Sequence, residues 1–267
     1  MKTFFVLILS LSFLTSTCLG QAKTQVINSS NVEHSDEIWQ LLSNGIHNFE
    51  VDVVPIYGEL FVTATMPDSA NHSKPTLAQA YLLPLFSQFK KNNGAISPDN
   101  KQTSYLILNI GFDEQRVLQL LREDLRAMSN MLKYKSNGEW HDGKLQLLIK
   151  NCSGKTTKSE EKNRFVGIAG ISKDTTSTLS VDVMPLIELS FSELTDWNGS
   201  GNLPFESYLA IKNKVSSIHK SGRKISITDC PKSDKAWSVL LKTEVDFICT
   251  IYAHELQKFI ATQKTSE

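Results

Sequence analysis

The sequence has few cysteines and no surplus of charge of either sign. It contains 4 cysteines in 267 residues, and 28 lysines and arginines balance 28 aspartates and glutamates. So few cysteines exclude a small domain held together by many disulfides, and their spacing does not match a metal-binding cluster. Because nucleic-acid-binding proteins rely on a basic surplus, we expect no nucleic acid partner and no attraction to an anionic membrane.

Long apolar runs are scarce. The one at residues 4–14 follows the positive charge of Lys2, is too short to span a bilayer, and is followed by small residues. Residues 1–20 are therefore predicted to be a signal peptide, and residues 21–267 the mature domain, exported to the periplasm or the extracellular space without a transmembrane anchor. Cys18 lacks the leucine three residues upstream that lipoprotein signals usually show, which argues against lipidation.

The predicted mature chain keeps three cysteines, Cys152, Cys230 and Cys249. An odd number rules out complete pairing within the chain. In an oxidising compartment a bridge between Cys230 and Cys249 is compatible with the sequence, but their spacing alone does not establish it.

Short apolar runs rich in β-branched residues alternate with longer amphipathic ones. This alternation predicts βα units around a parallel sheet. The alternative, an open doubly wound sheet, lacks the glycine-rich phosphate loop expected after its first strand. We therefore predict an α/β fold, a closed TIM-type (β/α)₈ barrel in one domain. The predicted strands are 24–29, 47–54, 105–110, 145–150, 165–171, 184–189, 224–228 and 246–251, and the clear helices are 36–43, 77–92, 113–132, 205–220, 233–243 and 254–262.

Two carboxylates interrupt the second predicted strand. Glu50 and Asp52 are two residues apart, so their side chains project to the same side of the strand. Carboxylates in an apolar strand require a cation, strong hydrogen-bond donors or a lysine partner. The sequence therefore indicates either a metal site for Ca²⁺ or Mg²⁺ or an internally paired cluster.

Several segments resemble one superfamily in order and spacing. The residues 43–53, with Glu50 and Asp52, and the following 58–62 look like the start of the phospholipase-C-like phosphodiesterases, which include glycerophosphodiester phosphodiesterases and phosphatidylinositol-specific phospholipases C. Later stretches are similar to a subgroup that contains a yeast mitochondrial-inheritance protein. These stretches are residues 76–85, 184–187, 197–201, 221–223 and 245–250.

The resemblance implies a phosphodiesterase barrel that uses two histidines and a divalent cation, yet this sequence departs from the pattern at those positions. Ser30 stands where the first histidine is expected, and Ala64 stands where the second is expected. Asn109 and Gly111 stand where the third strand should end in a further carboxylate and a lysine. Neither serine nor alanine can exchange protons near neutral pH as imidazole does, so the pattern predicts impaired or absent hydrolysis.

Three functions follow as hypotheses. The first is a barrel without catalysis that binds a small phosphate-containing ligand at its mouth, where Asn31 is a candidate contact. The second is an active hydrolase with rearranged groups, using Glu50, Asp52 and His72 as a substitute histidine. The third is an interaction protein whose surface includes the loop of Trp197, although that tryptophan also suits a lid over the barrel core.

Overall fold

The computed structural model describes residues 24–66, 74–97, 102–152 and 163–264. The predicted signal peptide at residues 1–20, with Cys18, lies outside the described residues, and so does His72. No helix within these ranges is long and apolar enough to cross a membrane.

The described residues form a closed barrel and two hairpin extensions. Its eight parallel strands follow the order β1, β2, β4, β7, β8, β9, β10, β11, and β1 closes the ring by pairing with both β2 and β11. The predicted (β/α)₈ barrel is therefore confirmed, and the open-sheet alternative is wrong. The strands are β1 (Gln25–Asn28), β2 (Asn48–Ile56), β3 (Glu59–Val62), β4 (Ser104–Ile110), β5 (Tyr134–Ser136), β6 (Glu139–His141), β7 (Leu145–Lys150), β8 (Val166–Gly170), β9 (Leu186–Ser190), β10 (Lys224–Thr228) and β11 (Phe247–Thr250).

The six α-helices of the described residues lie close to the predicted ones. Asp113 caps the third, accepting a hydrogen bond from the Arg116 amide at 3.1 Å. The predicted helix 77–92 begins as a π-helix over Ala78–Leu82, and Pro84 lies in the first turn of the α-helix that follows. The helices are α1 (Ser35–Ser43), α2 (Leu83–Lys91), α3 (Glu114–Arg126), α4 (Phe205–Lys220), α5 (Asp234–Lys242) and α6 (Ala253–Lys264).

Two small hairpins were not expected from the sequence. The second barrel strand runs two residues beyond its predicted end, and β3 folds back antiparallel against it. The strands β5 and β6 form a separate antiparallel pair between α3 and β7. Between β8 and β9 the chain forms a 3₁₀-helix, Ser172–Thr176, at a place where no clear helix was predicted.

The core has two layers, inside and outside the barrel wall. The larger layer packs the outward side chains of the strands against the helices. The smaller layer fills the barrel interior, and its members are Ile27, Tyr105, Ile107, Leu148, Ala169, Leu186, Phe247 and Cys249. Along each strand alternate residues face inward, so the inward positions above this apolar layer lie at the carboxyl ends of the strands, where they face the mouth.

Candidate functional site

A cavity of about 360 Å³ opens at the carboxyl end of the barrel. This is the end at which (β/α)₈ barrels carry their active sites, because the loops that follow each strand meet there. The cavity combines charged, hydroxyl and thiol groups. Its lining residues are Ser29, Glu50, Lys150, Thr228, Asp229, Cys230, Cys249, Thr250, Ile251 and Tyr252.

Lys150 lies at the centre of the charged groups. The register places it on the inward row of β7, and its ammonium donates to Glu50 Oε1 at 2.5 Å and also to Glu188 Oε1. Glu50 comes from β2 and Glu188 from β9, so the ion cluster ties three separate strands together. Only 15% of the Lys150 side chain and 5% of the Glu188 side chain are exposed.

Burial and the neighbouring charges shift the pKa values of this ion cluster. Burial alone would lower the pKa of Lys150, but the carboxylates of Glu188 and Glu50 outweigh it and raise that pKa above its ordinary value. Burial, followed by the charge of Glu50, raises the pKa of Glu188 to about 7, although Lys150 opposes this shift. Lys150 is therefore held as a cation, and Glu188 keeps its proton to a higher pH than an exposed glutamate does.

The thiol of Cys249 joins the same cluster. It is 3% exposed and donates to Glu50 Oε2 at 3.2 Å. Burial, reinforced by the charges of Glu50 and Glu188, raises the pKa of Cys249 well above its usual value. The group is thus a neutral thiol in this arrangement.

Asp52 is surrounded by amides. Asn31 donates to Asp52 Oδ2 at 3.0 Å and accepts from the Asp52 backbone amide at 3.0 Å. Asn109 donates to Asp52 Oδ1 at 2.6 Å and in turn accepts from Asn151 at 2.6 Å. Asn109 lies directly opposite Asp52 on the adjacent strand. These amides satisfy both carboxylate oxygens of Asp52.

The positions of the two expected histidines lie near the mouth but carry no acid or base. Ser30 follows β1, is partly buried, and its hydroxyl contacts the Ile251 carbonyl at 3.5 Å. Ala64 is exposed just beyond β3, where the Thr63 amide donates to the Asp52 carbonyl. Among the described residues that line the cavity there is no histidine.

Trp197 packs within its own loop. Its indole N–H donates to the Ser200 carbonyl at 2.6 Å, and its ring lies 6.3 Å from the ring of Phe191. Trp197 is partly buried against the outer core. These contacts favour a structural role for the tryptophan over ligand contact.

Cys230 and Cys249 form no disulfide with each other. Cys230 and Cys249 nevertheless line the same cavity. Burial raises the pKa of Cys230 to about 12, so this thiol is also neutral at physiological pH. The sequence left a bridge between these two cysteines open, and the structure places both thiols at the same cavity without a bridge.

The sequence did not single out Lys150 and Glu188. Each is the single charged residue of its strand, and the two are 38 residues apart. The available signal was positional: Lys150 is the last residue of its strand, and Glu188 faces the same interior as Glu50. Recognising their contact required the strand register, which local sequence patterns do not supply.

The chain matches no protein-family model, and no curated protein matches it. Several solved structures resemble it at low identity. One is a glycerophosphodiester phosphodiesterase from Agrobacterium tumefaciens, 11% identical with a TM-score of 0.49, covering 88% of this chain and 99% of that one. Another is a Plasmodium falciparum HPPK-DHPS triple mutant, 11% identical with a TM-score of 0.48, covering 92% of this chain and 48% of that one. A third is an HpcH/HpaI aldolase from Desulfitobacterium hafniense, 13% identical with a TM-score of 0.43, covering 92% and 93% respectively.

Proposed function

We propose that this protein is a phospholipase-C-like barrel that binds a small phosphodiester at its mouth without hydrolysing it. One observation carries the proposal. All four carboxylate oxygens of Glu50 and Asp52 accept hydrogen bonds from the chain's own side chains: Lys150 and Cys249 on Glu50, Asn31 and Asn109 on Asp52. The groups that a hydrolase of this kind would use are therefore engaged internally.

The metal that the resemblance implies does not fit the described side chains. Ca²⁺ takes six to eight oxygen ligands, and Mg²⁺ demands near-octahedral oxygen coordination. Here both oxygens of Asp52 accept from the amide nitrogens of Asn31 and Asn109, so Asp52 has no free oxygen with which to join Glu50 around such an ion. Asn109 also replaces the third carboxylate with a neutral amide. We therefore assign no step to Ca²⁺ or Mg²⁺.

Proton transfer to a phosphodiester also lacks its usual groups. The positions of the two histidines hold Ser30 and Ala64, and general acid and base catalysis typically contributes 10²–10⁴-fold each. Lys150 does not serve as an amine nucleophile either, because two carboxylates hold it as an ammonium. Binding without turnover is what these side chains support.

The charges of the lining favour a diester over a monoester. One lysine faces Glu50 and Asp229 in the cavity wall, so the wall repels a doubly charged phosphate monoester more strongly than a singly charged phosphodiester. The single negative charge of a phosphodiester can contact the Lys150 ammonium. The hydroxyls of Thr228 and Tyr252 can donate to its free oxygens or to hydroxyls on its substituents.

The test combines turnover with binding. We expect no hydrolysis of bis-nitrophenyl phosphate or of glycerophosphodiesters above the buffer rate, with or without Mg²⁺ or Ca²⁺. We expect calorimetry to detect glycerophosphodiester binding that Tyr252→Phe weakens. Tyr208→Phe, on the outer helix α4, is the matched control and should leave binding unchanged.

Two outcomes would overturn the proposal. Metal-dependent turnover that disappears in Glu50→Gln and in Asp52→Asn would show an active hydrolase, in which His72 becomes the histidine to test. Failure of the wild-type protein to bind any glycerophosphodiester would show that the proposed ligand is wrong.

A further inference from the structure

We propose that Glu50, Glu188 and Cys249 form a binding site for a thiophilic divalent ion such as Zn²⁺ or Co²⁺ at the floor of the cavity. One ligand atom from each of these residues lies within 4.8 Å of the others. The three belong to β2, β9 and β11, which are fixed in the barrel wall, so the donor atoms are held by rigid elements. Glu50 also belongs to the Glu50 and Asp52 pair, whereas Glu188 and Cys249 lie outside that pair.

A buried carboxylate oxygen of Glu188 without a hydrogen-bond partner supports the presence of an ion at this site. Glu188 is 6% exposed, and its Oε2 atom has no hydrogen-bond partner among the described residues. A buried oxygen that has lost its water and gained no hydrogen-bond partner destabilises the fold. On the neighbouring strand Ser226 lies directly opposite Glu188, is fully buried, and its hydroxyl likewise has no partner among the described residues. An ion with a bound water here would supply partners for both atoms.

The ammonium of Lys150 already marks a cation position. It contacts Glu50 and Glu188 together, so these carboxylates are arranged around a positive charge. Its four-carbon side chain is flexible, and the adjoining cavity of about 360 Å³ gives it room to withdraw. A divalent ion entering between the carboxylates would displace the ammonium and leave it nearby as a compensating charge.

The donor set selects the kind of ion. Two carboxylate oxygens and one sulfur, with a water as fourth ligand, match the tetrahedral preference of Zn²⁺. A thiolate ligand favours Zn²⁺ and similar ions over Ca²⁺ and Mg²⁺. On binding, the S–H bond of Cys249 breaks, its proton passes to solvent, and the sulfur lone pair forms the bond to the ion. No electron transfer is required.

Co²⁺ provides a direct readout, because a thiolate ligand gives cobalt an intense near-ultraviolet charge-transfer band. We expect Co²⁺ added to the reduced, metal-free protein to produce this band and one equivalent of Zn²⁺ to abolish it. Cys249→Ser should lose the band. Cys230→Ser is the matched control, since Cys230 lines the same cavity outside the cluster, and it should retain the band.

Two further variants make the test decisive. Glu188→Gln removes a ligand with little change in shape and should weaken Co²⁺ binding by at least about tenfold. Lys150→Met removes the competing ammonium and should strengthen it. Circular dichroism confirms that each variant is folded before it is scored.

Absence of the cobalt charge-transfer band in the wild-type protein would refute the site, even if the Lys150→Met variant showed the band. Persistence of the band in the Cys249→Ser variant would also refute it. The inference does not rest on the proposed ligand function. Its readout is spectroscopic, so loss of phosphodiester binding would leave it standing.

Discussion

Lys150 determines the electrostatics of the barrel interior. The Lys150 side chain is only 15% exposed, and its buried positive charge is compensated by both Glu50 and Glu188. The ammonium in turn reduces the repulsion between these two carboxylates. Each member of the ion cluster is therefore costly to remove alone. Buried ion pairs often add little net stability, yet breaking one leaves an uncompensated charge.

Lys150→Met should lower the free energy of unfolding by about 3–5 kcal/mol, because it leaves two carboxylates without a cation. The double variant Lys150→Met with Glu188→Gln should recover part of this loss, since one negative charge is then removed. Urea unfolding followed by circular dichroism measures both.

The control is Lys232→Met. Lys232 pairs with Glu255 on the surface, where both side chains are about half exposed. That change should cost less than about 1 kcal/mol. If Lys150→Met lowers the free energy of unfolding no more than Lys232→Met does, the buried carboxylates do not depend on Lys150 for compensation of their charge.

At the scale of single residues, sequence reasoning found one of the three members of the ion cluster. Glu50 was identified because two carboxylates on one apolar strand form a local pattern. The lysine partner was foreseen as a type of residue but not as Lys150, and Glu188 was not foreseen. Both lie on other strands, so their proximity depends on register and barrel closure, which no window of sequence contains.

At the scale of elements, hydrophobic periodicity predicted the strands and helices that bury an apolar face in the core. The eight barrel strands and α3 were predicted because each buries a continuous apolar face. The β5–β6 hairpin was missed because it buries little: all three residues of β5 are only partly buried, and two of the three in β6 are exposed. The strand β3 buries Leu60 and Val62 but is only four residues long, which is too short for a clear periodic pattern. Such elements depend on their contacts with the rest of the fold.

Gly143 lies just before β7, at a position where a side chain cannot fit. A Cβ atom there would lie 2.0 Å from the backbone carbonyl carbon of Leu132, at the point where the chain enters β7. Gly143→Ala should therefore destabilise the protein by at least about 2–3 kcal/mol, because backbone has to move. Thermal and urea unfolding measure the loss.

Gly111→Ala is the matched control. A Cβ atom at Gly111 would meet nothing within 4 Å, so its effect should stay within about 0.5 kcal/mol. Equal effects of the two substitutions would show that the close approach to Leu132 is not a constraint in solution.

At the scale of the whole molecule, closure depends on a short strand. Four residues of β1 pair with β11 on one side, and two of them also pair with β2 on the other. Without β1 the barrel becomes an open sheet with two unpaired edges.

A chain that begins at Asn31 should consequently lose cooperative unfolding and near-ultraviolet circular dichroism. A chain that begins at Thr24 keeps β1 and the Thr24 hydroxyl contact to the Val245 carbonyl, and it should unfold cooperatively. A cooperative transition of the shorter chain at the same urea concentration would show that closure by β1 is dispensable.

The apolar layer inside the barrel closes its interior at the amino-terminal ends of the strands. Whatever reaches Cys249 has to enter through the cavity whose lining includes Thr228, Asp229 and Tyr252. Occupants must then leave in the reverse of the order in which they entered. An ion seated on the floor would be retained for as long as a larger molecule rests above it, so its dissociation rate would report on the residence time of that molecule.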